Sequence, residues 1–233
     1  MNGNILITGA SRGIGLALTK KFLENNFTVY TLTTSIKDEL KSLSVNYPDK
    51  LFNYICDVTK ENTIIEAFNE ISKKIKFINI IINNAAVHLE DRNKDINEMD
   101  FESIKRTFDV NSVGPLRIIK HFIPLLKKGR LKKIINISSE AGSIGDAWRK
   151  SEFGYCMSKS ALNMASKILQ NRFKEDNIKV LAIHPGWVST DMGGKEAPIL
   201  PDESAKKVYD LIIKEWKISD SIYYDLDGKE MNW

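Results

Sequence analysis

The 233-residue chain has two cysteines, Cys56 and Cys156, and three histidines, His88, His121 and His184. Two thiols cannot staple a chain of this length, so a disulfide scaffold is excluded, and their scarcity fits a reducing compartment. The histidines are widely separated and share no metal-ligand spacing, so no metal is expected. Long apolar runs are missing as well. The longest, around Ile5-Leu6-Ile7 and Ile80-Ile81-Ile82, are far too short to span a bilayer. Met1-Asn2-Gly3-Asn4 carries no basic region and no long apolar core, so no secretory leader is read there and a soluble, cytoplasmic protein is expected. Internal repeats, low-complexity tracts and Gly/Ser linkers are also lacking, which leaves no sign of a domain division. A strong excess of one charge is missing too. The net charge is +4 and the isoelectric point near 8.8, with one dense basic run at Lys127–Lys133. A nucleic-acid binder would offer about six or more spread phosphate contacts. The run reads instead as a solvated loop near a helix C-terminus, and nucleic acid is not an expected partner.

What is present is an ordinary globular composition, 42% hydrophobic and 27% charged, with enough apolar surface to bury a core. Short β-branched runs at Asn4–Thr8, Thr28–Leu32, Leu51–Cys56, Ile78–Ile82, Lys133–Ser138 and Lys179–His184 read as strands. Helical patterns lie between them at Gly13–Glu24, Ile36–Val45, Glu61–Lys74, Phe101–Phe108, Pro115–Lys127 and Tyr155–Phe173. Strands alternating with helices predict βαβ units: a single α/β domain over residues 1–233, with a doubly wound parallel sheet of Rossmann type. The strands lack clean polar alternation, as expected when helices cover both faces. Pro and Gly cluster late, so residues 186–203 are expected to be an irregular excursion serving as a substrate loop.

The first strand runs into Thr8-Gly9-Ala10-Ser11-Arg12-Gly13-Ile14-Gly15 and then a helix. Glycines at 9, 13 and 15 permit a tight turn, close approach to a pyrophosphate and close helix–strand packing, with the helix N-terminus aimed at the phosphates. The spacing is Gly-x-x-x-Gly-x-Gly, not the Gly-x-Gly-x-x-Gly of the standard fingerprint. Tyr155 and Lys159, four residues apart, share one helical face. A nearby ammonium is expected to lower the tyrosine pKa from about 10 toward the working range. Ser138-Ser139, Asn83-Asn84-Ala85, the glycine turn and Pro185-Gly186 all follow predicted strands. They would therefore gather at the C-terminal edge of the sheet, where open α/β folds bind ligands.

Together with Asp57-Val58, Asn84-Ala85-Ala86 and Asn111, these motifs resemble, in order and over almost the whole chain, the classical short-chain dehydrogenase/reductase family. A narrower resemblance is to its C-factor/sniffer-like, carbonyl-reductase-related branch. It rests on Met157–Met164, His184–Gly194 and the tail from Tyr224 to Trp233. The resemblance implies hydride transfer between a nicotinamide and a carbonyl or alcohol carbon. Tyr155 would exchange the proton with the substrate oxygen, and Ser139 would polarise that oxygen as an oxyanion donor. Lys159 would depress the tyrosine pKa and hold the nicotinamide ribose. Asn111 would anchor a relay water. By the same resemblance Gly9, Ser11, Arg12, Gly13, Ile14, Gly15, Thr33, Asn84, Ala85, Ala86, Pro185 and Gly186 bind cofactor. Val188 and Thr190 would fix the carboxamide, and Asp57 and Val58 would flank the adenine.

The sequence departs from the family at two places. Ala86 stands where the family usually has glycine, and the sixteen residues from Ser139 to Tyr155 exceed the commonest spacing. The extra residues, within 146–153, would lie at the mouth of the site and blur the choice of serine: Ser139 aligns best, Ser138 follows, and Ser143 ranks third. The second predicted strand ends in Thr31-Leu32-Thr33-Thr34-Ser35, with no carboxylate before Asp38, whereas NAD sites place an acid there. Arg12 in the turn would meet a 2′-phosphate, so NADP(H) is the expected cofactor. The leading expectation is a reductase of a small-molecule aldehyde or ketone. An NAD-dependent alcohol dehydrogenase and a non-catalytic NADP-binding signalling or regulatory protein are the alternatives. His184 and Cys156 are read as structural. Trp148 and Trp187 lie in segments expected near the substrate mouth, and both a homodimer and a monomer stay open.

Overall fold

Ile5 and Ile7 pack on one face of the first strand and Leu6 on the other, and all three are wholly buried. This two-residue period with both faces covered marks a central parallel strand. The computed structural model describes residues 3–91 and 95–233. The Met1-Asn2 pair considered for a leader, and part of the segment after His88, lie outside the described residues. The strands are β1 (Asn4–Thr8), β2 (Thr28–Thr33), β3 (Leu51–Ile55), β4 (Ile80–Asn83), β5 (Lys133–Ile137), β6 (Lys179–Ile183) and β7 (Tyr223–Tyr224). The helices are α1 (Gly13–Glu24), α2 (Asp38–Asn46), α3 (Glu61–Lys74), α4 (Phe101–Phe108), α5 (Gly114–Leu126), α6 (Phe153–Phe173) and α7 (Pro201–Ile213). The sheet runs β3-β2-β1-β4-β5-β6-β7 with every neighbouring pair parallel. Strand order therefore reverses between β1 and β4, the switch point where such sheets open a ligand crevice.

Leu18 and Phe22 of α1, Leu40 of α2 and Val208 and Ile212 of α7 cover one face of the sheet. Ile64 and Ile71 of α3, Ile118, Phe122 and Leu126 of α5 and Phe173 of α6 cover the other. Each large aliphatic or aromatic side chain fully buried here contributes about 1.5–3 kcal/mol. The expected doubly wound α/β sheet in a single domain is what the chain forms.

Three differences from the sequence reading have physical causes. Residues 201–203 are not part of the irregular excursion but open α7, whose Pro201 fits a first helical turn and whose Asp202 and Glu203 face its positive end. The basic run is not wholly a solvated loop. Lys133 is buried in β5, where its Nζ donates to the carbonyls of Ile212 and Lys214, both at 2.7 Å, and burial pulls it down to about 8. Finally, α4 passes into α5 through a π-turn at Asp109–Val113, a wider coil that periodicity does not announce.

Candidate active site

The glycine turn joins β1 to α1 beneath the end of β4. Gly9 has φ +68°, and a Cβ there would stand 2.7 Å from the Ala85 Cα. On Gly15 it would stand 2.3 Å from the Gly9 carbonyl oxygen. Asn84 ties the two strand ends together, its Nδ2 donating to the Thr8 and Gly9 carbonyls, each at 3.0 Å. Thr8 Oγ1 accepts the backbone N–H groups of Asn84 and Ala85 at the same distance. The α1 N-terminus has no capping side chain and no acid in its first turn. Its N–H groups and positive dipole end face a cleft of about 790 Å³. A turn held tight by glycines packed on the end of β4, running into an uncapped helix that opens on the cleft, fits a dinucleotide pyrophosphate.

Gly9, Ser11, Arg12, Gly13, Ile14 and Gly15 line this cleft, as do Thr33, Asp57, Val58, Asn84, Ala85 and Ala86. Ser138, Tyr155, Lys159, Pro185 and Thr190 complete the set of sequence-selected residues found on its walls. Ala86 is accommodated without a positive φ. Asp57 Oδ1 accepts from the Thr59 N–H at 2.9 Å and the Thr59 hydroxyl at 2.7 Å. Burial pushes its carboxyl up, but these bonds hold it below the usual range. Arg12 is paired with Asp191 of the loop after β6. Lys37, Asp38 and Glu39, which the sequence reading did not select, also line the cleft.

Gly186 and Val188 stand beyond Pro185, just outside the cleft itself. They lie on the wall of an adjoining cavity of about 520 Å³, where Gly186 turns with φ +79° and a Cβ on it would collide with Ile199 and Leu226. Ser139 and the indoles of Trp148 and Trp187 border the same cavity, and Tyr155 borders both. Ser138, the second choice of serine, donates its hydroxyl to Asn163 Oδ1 at 2.6 Å; Ser139 donates its own to Glu140 Oε2 at the same distance and lies close enough to Tyr155 to act on its phenol. Ser143 is buried and receives the Asp146 N–H.

The expected lowering of the Tyr155 pKa is not seen. Burial pushes the phenol up to about 12, outweighing the opposing influence of the Ser139 hydroxyl beside it. The Lys159 Nζ, 5.7 Å from the Tyr155 ring centre, donates to the Ile137 carbonyl at 2.9 Å, and its own burial lowers it to about 8. Asn111 lines neither space. It sits on the π-turn, accepting from Val87 N at 2.8 Å and donating to the Val87 carbonyl at 2.9 Å and to Ser158 Oγ at 3.0 Å. Since Ser112 Oγ also holds the Ser158 carbonyl at 2.8 Å, the π-turn clamps α6 one residue before Lys159.

Several residues of this region escaped the sequence reading. Glu90 caps α6 from outside, its carboxylate accepting the N–H groups of Gly154 at 2.9 Å and Tyr155 at 2.7 Å. His88 stacks on the Tyr155 ring with centres 4.7 Å apart. Glu140 and Arg149 pair at 2.5 Å beside Ser139. His184 accepts the Glu140 N–H at 3.2 Å, a structural bond as expected, although it also borders the second cavity. Among the described residues no three His, Cys, Asp or Glu side chains are grouped to hold a metal, and no helix is long and apolar enough to cross a membrane.

The family model for short chain dehydrogenases matches residues 3–199. The C-signal protein of Myxococcus xanthus is 30% identical over 156 residues, covering 67% of this chain and 93% of that protein. The carbonyl reductase Sniffer of D. melanogaster superposes with a TM-score of 0.93 at 28% identity, covering 100% of both chains. An NADPH-bound carbonyl reductase from chicken fatty liver superposes with a TM-score of 0.90 at 29% identity, covering 99% of this chain and 98% of that one. Matched over residues 3–199 in sequence and along its length in fold, the chain belongs to the short-chain dehydrogenase/reductase family of oxidoreductases, in its C-factor/sniffer-like, carbonyl-reductase-related branch.

Proposed function

We propose that the chain is an NADP(H)-dependent reductase of a small aldehyde or ketone. The observation that carries this reading is the position of Tyr155 on the shared wall of the cleft and the cavity, with Ser139 beside it and Lys159 behind it. A bound nicotinamide would supply the hydride. Tyr155, a phenol at neutral pH, gives its proton to the carbonyl oxygen as that oxygen gains charge. Ser139 donates a hydrogen bond to the same oxygen. Lys159, buried as a cation, holds the ribose hydroxyls and returns a proton to Tyr155. Asn111 fixes α6 for this relay through its bonds to Val87 and Ser158. Gly9 to Gly15 hold the pyrophosphate, Arg12 and Thr33 the 2′-phosphate end, and Asp57 and Val58 the adenine. Asn84, Ala85, Ala86, Pro185, Gly186, Val188 and Thr190 enclose the nicotinamide half. Residues 186–200 form the substrate loop. The walls offered by Trp148, Trp187 and Met192 suit an uncharged aryl or alkyl carbonyl compound.

One observation favours a second reading, an NAD-dependent alcohol dehydrogenase. Asp38 and Glu39 line the cleft along with Arg12 and Lys37, and carboxylates following β2 suit a free ribose 2′-hydroxyl. Consumption of NADPH and NADH against a panel of aldehydes and ketones tests both. A higher kcat/KM with NADPH supports the first reading, and Tyr155→Phe should abolish turnover while NADPH still binds. Turnover that survives in Tyr155→Phe overturns the assignment. Tight NADPH binding by a wild-type protein that turns over no carbonyl supports a binding protein instead.

A further inference from the structure

Around Tyr155 and Ser139 runs a closed chain of charged contacts built largely from the lengthened segment between them. The Ser139 hydroxyl donates to Glu140 Oε2 at 2.6 Å, and Glu140 Oε1 accepts from Arg149 Nη2 at 2.5 Å. Arg149 Nε then donates to Glu152 Oε2 at 2.9 Å, and the other Glu152 oxygen lies 3.3 Å from His88 Nε2. The His88 ring lies on Tyr155, and Tyr155 returns to Ser139. The Arg149 and Glu152 side chains are only 20% and 11% exposed, so these pairs are shielded from the solvent that makes surface ion pairs weak. Glu152 keeps a left-handed backbone, φ +66°, at the start of α6.

The direction of the hydrogen bonds gives this chain a consequence for the reaction. A carboxylate has no proton, so in this arrangement Ser139 gives its only one to Glu140, and must turn it away from Glu140 before it can donate toward Tyr155 or substrate. The proposed reduction needs that same proton turned toward the substrate oxygen. Glu140 therefore competes with substrate for Ser139, and the strength of its hold depends on how much of its charge Arg149 takes up. We propose, resting on the carbonyl-reductase reading, that Arg149 is a positioning residue that neutralises Glu140 and so frees the Ser139 hydroxyl to serve substrate. Without Arg149 the full charge of Glu140 would grip the Ser139 proton and oppose the approach of a carbonyl oxygen that is gaining charge. A hydrogen bond to a charged group contributes about 1.5–3 kcal/mol, which sets a loss of about ten- to a hundredfold in kcat.

The test is a cycle of Arg149→Gln, Glu140→Gln and the double variant, read as kcat, carbonyl KM and the NADPH dissociation constant from fluorescence. Arg149→Gln should lose about ten- to a hundredfold in kcat with NADPH affinity unchanged. The double variant should regain most of that loss, because the uncompensated charge is gone. A merely structural arginine would leave the double variant as slow as the single one or slower, and that result overturns the proposal, as does a single variant within twofold of wild type. If Arg149→Gln fails to fold, Arg149→Lys in the same cycle decides, since an ammonium keeps the charge but cannot bridge both carboxylates. It should be slowed less, and Glu140→Gln should again relieve it. A wild-type protein that turns over no carbonyl defeats the functional reading itself. Normal wild-type turnover with no rescue defeats only the role of Arg149.

Discussion

Replacing Asp191 by asparagine should tighten the binding of NADPH and leave NADH alone. Arg12 is engaged by Asp191, so a cofactor carrying a 2′-phosphate must draw the guanidinium away from a carboxylate before it can pair. Both side chains are more than half exposed, 59% and 68%, so solvent screens the pair and its contribution is discounted to the range of exposed ion pairs, about 0.2–1 kcal/mol. Releasing Arg12 returns that amount to phosphate binding, and with tenfold for each 1.4 kcal/mol the dissociation constant should fall by about 1.4- to fivefold. NADH has no phosphate to receive the arginine, and its constant should not move. The gain should shrink between 0.05 and 0.5 M salt, as screening shortens the reach of exposed charges to a few ångströms. Fluorescence titration of both cofactors at the two salt concentrations is the assay, with Arg12→Ala and the double variant as controls. Equal changes for NADH and NADPH, or a gain that persists in the Arg12→Ala background, would refute the reasoning.

Lys159 has its pKa lowered by burial to about 8, so its proton leaves as the pH rises through that value. If the lysine feeds the relay as an ammonium, kcat/KM for reduction is level below pH 8 and falls about tenfold per unit above it; a profile level to pH 10 contradicts this. Glu90→Ala removes both acceptors at the start of α6. It should cost about 1–2 kcal/mol of stability in urea denaturation and slow turnover through a displaced Tyr155, whereas unchanged values of both would show that the cap is idle. Gly9→Ala combines a left-handed backbone, about 1–2 kcal/mol, with a Cβ driven into Ala85, about 1–3 kcal/mol. NADPH affinity should collapse with the sheet still folded by circular dichroism; a variant that binds normally would mean the turn has slack.

The sheet was legible in the sequence because each inner strand is a buried β-branched run, as at Ile80–Asn83 and Lys133–Ile137, and burial on both faces demands such runs. Helix α3 was legible to the residue because Ile64, Ala67 and Ile71 recur at helical spacing on one face. The signals for α7 were equally present, with Pro201 at the start, two acids after it, and Ala205, Val208, Leu211 and Ile212 on one face. They were lost behind the preceding Gly and Pro cluster. β7 is only two residues long and owes its place to β6, so no local pattern could announce it.

The site divides along the same line. The glycine turn and the Tyr155–Lys159 pair are local devices, and a device whose parts are close in sequence leaves a spacing that can be read. The partners that set their chemistry are not local. Glu90 reaches Tyr155 across 65 residues and Asn111 reaches Ser158 across 47. The burial that lifts the Tyr155 phenol belongs to no single neighbour in the chain. For that reason the tyrosine was expected to be acidified by its lysine and is instead a firmly protonated phenol, with the lysine the more acidic of the two. For a reductase this order is serviceable: the phenol is in its proton-donating form throughout the neutral range, and the group titrating near the working pH is the one that would refill it.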